Sequence, residues 1–366
     1  MRPSSSQSCA TLVALAALVV VAACGDSTAP PVATSLAFRA FAGGVTRTAL
    51  PAVVVEIRDQ AGVLMTGASG SVTLSFAANP GRLIFHASGI STNDRIIELV
   101  DIASGLVLPT LQNNEGLTEM TALAYDAAAN VVFGVDLNDS LWALDAVTGA
   151  RTTRGHTGVQ LKGLTVEAGA NGRLLGGRQA GSALYSVNRV TGDTTNLGTL
   201  VYSAGAFVGV NGFATEPGTG TIYAVVRVAS GTVRHLAVLN PTALTLTEVA
   251  LLTDNGVSDL TFLADGTLIA VTGTGSGVTN PETLLTVNKA TGVMAVVMAL
   301  GNGADGEAIA AVPSRLTGTL TAATVGGVAT FNGLQITAPG TAYTLRATAA
   351  GLTNGTSAVF NVAIAP

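Results

Sequence analysis

The chain has 366 residues, of which 48% are hydrophobic, 11% charged and 4% aromatic, with 44 glycines and a formal net charge of −5. So sparse and slightly acidic a charge, with no basic stripe, makes an anionic nucleic acid a poor partner. The two cysteines, Cys9 and Cys24, both fall at the N-terminus, which removes a disulfide framework, a cysteine nucleophile and cysteine-ligated zinc or iron–sulfur sites from the rest of the chain.

Residues 1–24 read as an export signal. Arg2 gives a positive start, and Leu12 to Ala23 is an apolar run of signal length, too short to span a bilayer as a helix. Its end, Val21-Ala22-Ala23-Cys24, resembles the lipobox of bacterial lipoproteins. That resemblance implies lipidation of Cys24 and a membrane anchored through the lipid. Gly25 at the following position resembles outer-membrane sorting, since Asp there is the usual retention signal; Asp26 lies one place later. The expected location is therefore the cell envelope, at the outer membrane, on either its periplasmic or its outer side. Residues 25–34 are small, polar and proline-containing, as a flexible tether should be.

Beyond Cys24 no apolar run reaches the roughly 18 residues of a membrane helix. The mean hydropathy of +0.52 comes instead from short runs of Ala, Val, Leu and Thr punctuated by glycine, the pattern of many short strands. Pro51 to Gly62 and Gly70 to Phe76 are the first two, joined by a turn-rich loop.

A repeat then sets in: an apolar strand, a strand of the form Leu-x-x-Val-Asn/Asp, and a turn closing on Thr-Gly. Copies lie at Ile96–Gly105, Leu141–Gly149, Leu184–Gly192 and Leu284–Gly292, with a degenerate one at Leu236–Ala243. Asn or Asp can bond its own backbone and start a tight turn, and the closing Gly accepts positive φ, so the motif is a hairpin signature. Each copy is preceded by a second strand, such as Asn130–Phe133 or Gly266–Ile269. Before that comes an inner one: Thr121–Ala124, Lys162–Thr165, Asn211–Ala214, Ser258–Thr261 and Glu307–Ala310. Four strands at a period of about 46 residues is the signature of β-propeller blades. The first unit lacks an inner strand and Glu307–Ala310 has no unit after it, so the two are expected to pair and leave no free edge at the seam. The expected fold is all-β, with a five-bladed propeller over residues 82–314 (six blades being the alternative). The hairpin pattern around Leu141-Trp142-Ala143-Leu144-Asp145 is similar to the repeats of quinoprotein, YVTN and NHL propellers. That similarity concerns fold and not activity, and a chain with a single Trp departs from the tryptophan-rich quinoprotein pattern, so no quinone cofactor is expected.

Residues 35–81 and 315–366, the latter carrying the strands Gly327–Phe331 and Tyr343–Ala347, together have the size of one immunoglobulin-like sandwich. In order, Val55-Glu56-Ile57-Arg58-Asp59 and Gly327-Val328-Ala329-Thr330-Phe331 resemble consecutive parts of bacterial Ig-like repeats of the invasin and intimin type. The resemblance implies an Ig-like β-sandwich with the propeller inserted in one of its loops, near Asn79-Pro80 and Pro313-Ser314, where close-lying propeller termini make insertion tolerable.

Aligning the inner strands places Thr121, Lys162, Asn211, Ser258 and Glu307 at one equivalent position, an expected polar ring at the channel mouth. Glu119, Gln160, Asp259 and Asp305 lie nearby, and His86 is expected to neighbour Glu307. The ring is read either as a ligand or divalent-cation site or as a solvated rim with a Lys162–Glu307 ion pair. Weaker motifs are read as loops. Asp136-x-Asn138-x-Ser140 begins like a calcium loop but has Leu141 and Val147 where Gly and Glu are needed, and Gly273–Gly277 lacks dinucleotide-site spacing. His86, His156 and His235 fall in three different blades without metal-ligand spacing, and there is no G-x-S-x-G elbow. Catalytic residues and cofactors are therefore not expected, a divalent cation at the axis excepted. Two functions follow: a monomeric envelope lipoprotein binding a protein, glycan or small molecule, or a propeller enzyme acting on a lactone, sugar or glycan with a cation at the mouth.

Overall fold

In the computed structural model, residues 30–79, 82–89, 97–102, 105–108, 118–146, 150–169, 171–228, 233–275, 277–300 and 305–363 are described. The signal, Cys24 and most of the tether lie outside them. Every regular element among these residues is a β-strand. The first, Ala33–Phe38, begins two residues inside the stretch read as tether.

Among the described residues five sheets, four of four strands and one of five, form the propeller. The second blade runs Met120–Asp126, Val131–Asp136, Ser140–Asp145, Arg151–His156, and the third Gly163–Val166, Leu174–Gly177, Ala183–Val187, Thr194–Thr199. The fourth is Phe207–Thr215, Ile222–Val228, Arg234–Asn240, Thr245–Leu251, with Val201–Tyr202 added in parallel outside. The fifth is Val257–Phe262, Leu268–Thr272, Thr283–Val287, Met294–Ala299. The first blade takes its inner strand from the end of the repeat: Asp305–Pro313 pairs antiparallel with Arg82–Gly89, then Ile97–Asp101 and Leu106–Leu108. This is the pairing expected of the two orphan strands. The five inner strands contact one another in a closed ring.

Blades pack on both faces, which is why their strands read as continuous apolar runs. In Ser140–Asp145, Leu141 and Ala143 join the core shared with the third blade, whereas Leu144 and Trp142 face the core shared with the first. The repeat's turn works as its chemistry requires. Asn188 Oδ1 accepts the Val190 and Thr191 amides at 2.9 and 3.2 Å, and Gly192, at φ 81°, returns its amide to the Asn188 carbonyl. Asn288 and Gly292 repeat this.

The residue after that Asn or Asp also interlocks neighbouring blades. Arg189 pairs with Asp126 of the second blade (2.7 Å), and Lys289 pairs with Glu216 of the fourth. At the equivalent places Ile102 shares a core with Leu263, and Ala146 shares one with Val312. Charge meets charge and apolar meets apolar. The exception is Glu167, whose counterpart is Pro241; it bonds Arg173 of its own blade instead, at 2.6 Å.

Strands from before and after the propeller form two larger sheets, beside a two-stranded one made by Leu316–Thr317 and Gln335–Ile336. Val53–Asp59 pairs with Ala33–Phe38 and Val328–Phe331, and Ser71–Ala78 pairs with Thr321–Ala323 and Gly340–Thr348. Their inward residues, including Val53, Val55, Leu74, Phe331, Tyr343 and Leu345, make one core. The body is thus a sandwich whose halves are separated in sequence by the whole propeller. Arg315 ties it to the ring by donating to the Tyr125 hydroxyl (2.6 Å) and the Ala127 carbonyl (2.8 Å).

Candidate functional site

The five aligned polar residues do occupy one level of the axis, and a backbone device puts them there. Each is the extra residue of a β-bulge: Thr121 between Met120 and Ala122, Asn211 between Val210 and Gly212, Ser258 between Val257 and Asp259, and Glu307 between Gly306 and Ala308. Lys162 does the same, since both it and Gly163 lie opposite Gly177. A bulge re-aims one side chain out of the regular alternation, here at five equivalent places.

The ring is buried and not a solvated rim: Thr121, Lys162, Asn211 and Ser258 are 4, 8, 3 and 7% exposed, and the Glu307 side chain 15%. Three members reach to the next blade in one pattern, donating to the carbonyl just before that blade's ring residue. Thr121 Oγ1 donates to Leu161 O (2.6 Å), Asn211 Nδ2 to Val257 O (3.0 Å) and Ser258 Oγ to Gly306 O. The two ionisable members instead form an ion pair, Lys162 with Glu307. Asn211 Oδ1 is buried and accepts no hydrogen bond.

Asp259 follows Ser258, where the other blades carry Ala122, Gly163, Gly212 and Ala308. A Cβ on Gly212 would run into its carboxyl, so the glycine makes room for it. Asp259 Oδ1 accepts the Leu260 amide (2.8 Å), and Oδ2 accepts the Ile309 amide on the closing strand (3.0 Å). Complete burial pushes its carboxyl well above the usual carboxylate range, against which the two amides and the nearby Lys162 pull down.

His86 is not beside Glu307. It lies opposite Ile309 and Glu98, fully buried, with Nδ1 3.3 Å from Glu98 Oε2 and Nε2 without a partner. The residues opposite the Glu307 bulge are Ala87 and Ser88, since the seam register, unbroken from Pro313 opposite Arg82 to Ala308 opposite Ala87, sets His86 two residues further along. Glu119 is half-buried and Gln160 exposed, and the side chain of Asp305 lies outside the described residues. Asp136 staples its own loop, accepting the Asn138 and Ser140 amides (2.9 and 2.8 Å) and the Trp142 indole N–H (3.0 Å). Among the described residues no group of three or more His, Cys, Asp or Glu is placed to hold a metal ion.

The other end of the axis differs. Two residues beyond the ring, Leu123, Leu164, Phe213, Leu260 and Ile309, all at most 1% exposed, form a floor. A cavity of about 330 Å³ is lined by them and by the turns that leave the inner strands. Its wall has two hydroxyl features. Thr165 and Thr215 Oγ1 atoms are 2.8 Å apart, and Thr261 Oγ1 accepts the Ala311 amide at 2.8 Å. The carboxylates at its edge are Asp126, Glu167 and Glu216, the three already paired with cations. The Arg173 guanidinium holds Glu167 below the usual carboxylate range, and Lys289 and the Thr219 hydroxyl do so for Glu216. Sequence reasoning missed this funnel because its Ala, Leu, Thr and Phe residues are indistinguishable from core.

No family profile matches the chain, and no curated protein matches it in sequence. Among solved structures it is similar to a chain of a nidogen/laminin complex (12% identity, 75% of this chain and 97% of that one, TM-score 0.41). It is also similar to an oligogalacturonate lyase in complex with manganese (13%, 73% and 79%, 0.35) and to a Bacteroides thetaiotaomicron protein of unknown function (12%, 74% and 72%, 0.41). A binding protein and an enzyme stand side by side here, and likeness this distant favours neither. What the chain's own strand pairing establishes is an all-β propeller joined to a two-sheet body.

Proposed function

We propose that the protein is a lipid-anchored envelope binding protein, in which Cys24 carries the lipid, the two-sheet body is an Ig-like domain of the invasin and intimin kind, and the propeller presents the ligand or partner site. The observation that carries this reading is the state of the polar mouth. Its hydroxyls and amide hold neighbouring blades together, and its one cation and one carboxylate neutralise each other. General acid or base work needs a titratable group within reach of a substrate proton, and among the described residues the five ring members offer none that is not already engaged. A propeller enzyme with a divalent cation at the mouth is the competing reading; there Glu307 would have to exchange Lys162 for the metal.

The test uses the full lipoprotein purified from envelopes. A binding protein retains a discrete envelope component in pull-down or on a glycan array and melts at the same temperature with and without EDTA. An EDTA-dependent fall in melting temperature, together with turnover of a lactone or glycan substrate, would sink the binding reading. Palmitate labelling that survives Cys24→Ala would refute the anchor.

A further inference from the structure

The geometry points to the axial funnel as a binding site for a small, uncharged, mainly apolar molecule that carries one hydrogen-bond acceptor. This deepens the binding reading by naming a ligand class, and the two can fail separately.

The lining includes Leu123, Leu164, Phe213, Leu260 and Ile309 and none of the five polar residues of the Lys162–Glu307 level. At about 330 Å³ it lies at the small end of ligand pockets, room for a single ring or a short branched chain but not for a sugar chain or a helix. Small residues at its edge, Ala127, Ala168 and Ala264, are exposed and keep the entrance open.

Charge chooses between ligand classes. The three carboxylates of the lining, Asp126, Glu167 and Glu216, meet Arg189, Arg173 and Lys289, and the Arg315 guanidinium is spent on the Tyr125 hydroxyl and the Ala127 carbonyl, so a charged ligand would find no free carboxylate and bury its charge against an apolar wall. Hydrogen bonding adds the acceptor. Of the two protons shared by Thr165 and Thr215, one lies between their oxygens and the other is left over. Thr261 accepts from Ala311, and its own proton meets no acceptor among the described residues. Two hydroxyl donors in an apolar wall match a carbonyl or ether oxygen.

The experiment titrates the full lipoprotein in detergent micelles with acetophenone, with ethylbenzene (same shape, no acceptor) and with benzoate (charged), followed by ligand-observed NMR. Acetophenone is expected to bind saturably at one site per chain, ethylbenzene roughly two- to tenfold more weakly for want of one neutral hydrogen bond, and benzoate more weakly still. Thr261→Val combined with Thr165→Val should abolish the difference between acetophenone and ethylbenzene, and a difference left intact by that pair would count against the acceptor. Ala127→Trp and Ala264→Trp, exposed positions on two different blades, should each weaken acetophenone at least tenfold, so a folding defect in one leaves the other to decide. Acetophenone signals unchanged by both tryptophans, as micelle partition would give, or benzoate bound as tightly as acetophenone, would overturn the proposal. Loss of acetophenone binding with an envelope partner still retained would refute the ligand class and leave the binding reading standing.

Discussion

Replacing Lys162 by Met tests whether the polar mouth is a buried closure. The variant keeps the length of the side chain and leaves the Glu307 carboxylate, 15% exposed, without its cation. It also removes the charge that pulls down on the fully buried Asp259. Breaking one side of a buried pair costs about 3–5 kcal/mol, which in a body of this size lowers the melting temperature by roughly 2–4 °C per kcal/mol. Glu307→Leu should cost a similar amount by stranding Lys162. The double variant Lys162→Met/Glu307→Leu should return close to wild type or exceed it, since a well-packed apolar pair avoids the desolvation of both ions. Thermal and urea unfolding of the four proteins closes the cycle. Single losses below about 1 kcal/mol that simply add in the double variant would refute the reasoning, because that is how a solvated surface bridge behaves.

The remaining predictions concern neighbouring residues. Asp259 is raised in the folded state, so its contribution is fully favourable below the unfolded carboxylate value and stability falls as pH rises through the window above it. Asp259→Asn should therefore match or exceed wild type in melting temperature at pH 7 and lose that advantage toward pH 4; a deficit that is constant across pH would contradict this. Thr121→Val leaves the Leu161 carbonyl without its donor and should cost about 1–3 kcal/mol, read by urea unfolding, with Thr121→Ser largely restoring it. On the fifth blade the outer strand Met294–Ala299 is wholly apolar, with Val296 58% exposed, whereas that of the second carries Arg151 and Arg154. Val296→Lys should reduce aggregation in light scattering without lowering the melting temperature, as a charge on an open sheet edge does.

Strand order, the seam and the alignment of the five polar residues could be read from the repeat, because each rests on local chemistry that recurs: an apolar inner strand, an Asn or Asp turn and a closing glycine. What could not be read is backbone geometry that leaves no mark on residue type. The bulges that turn Thr121, Asn211, Ser258 and Glu307 to a common level add one residue per strand, and the seam register that sets His86 opposite Ile309, two residues from Glu307, is equally silent in the sequence. The partial covariation across blades, Asp126 with Arg189 and Glu216 with Lys289 against Leu263 with Ile102, was present in the repeats but needed the blade order to be seen. The funnel had one faint signal, the alanines at Ala127, Ala168 and Ala264 in turns where bulkier residues would close the axis.

A crystal structure of the chain soaked with acetophenone tests most directly whether the polar mouth is a closure and the funnel the binding site. Density for the ring between the Phe213 floor and the Thr261 hydroxyl, with the Lys162–Glu307 pair undisturbed, is the expected result. Density at the Lys162–Glu307 level, with that pair parted and the funnel empty, would contradict it.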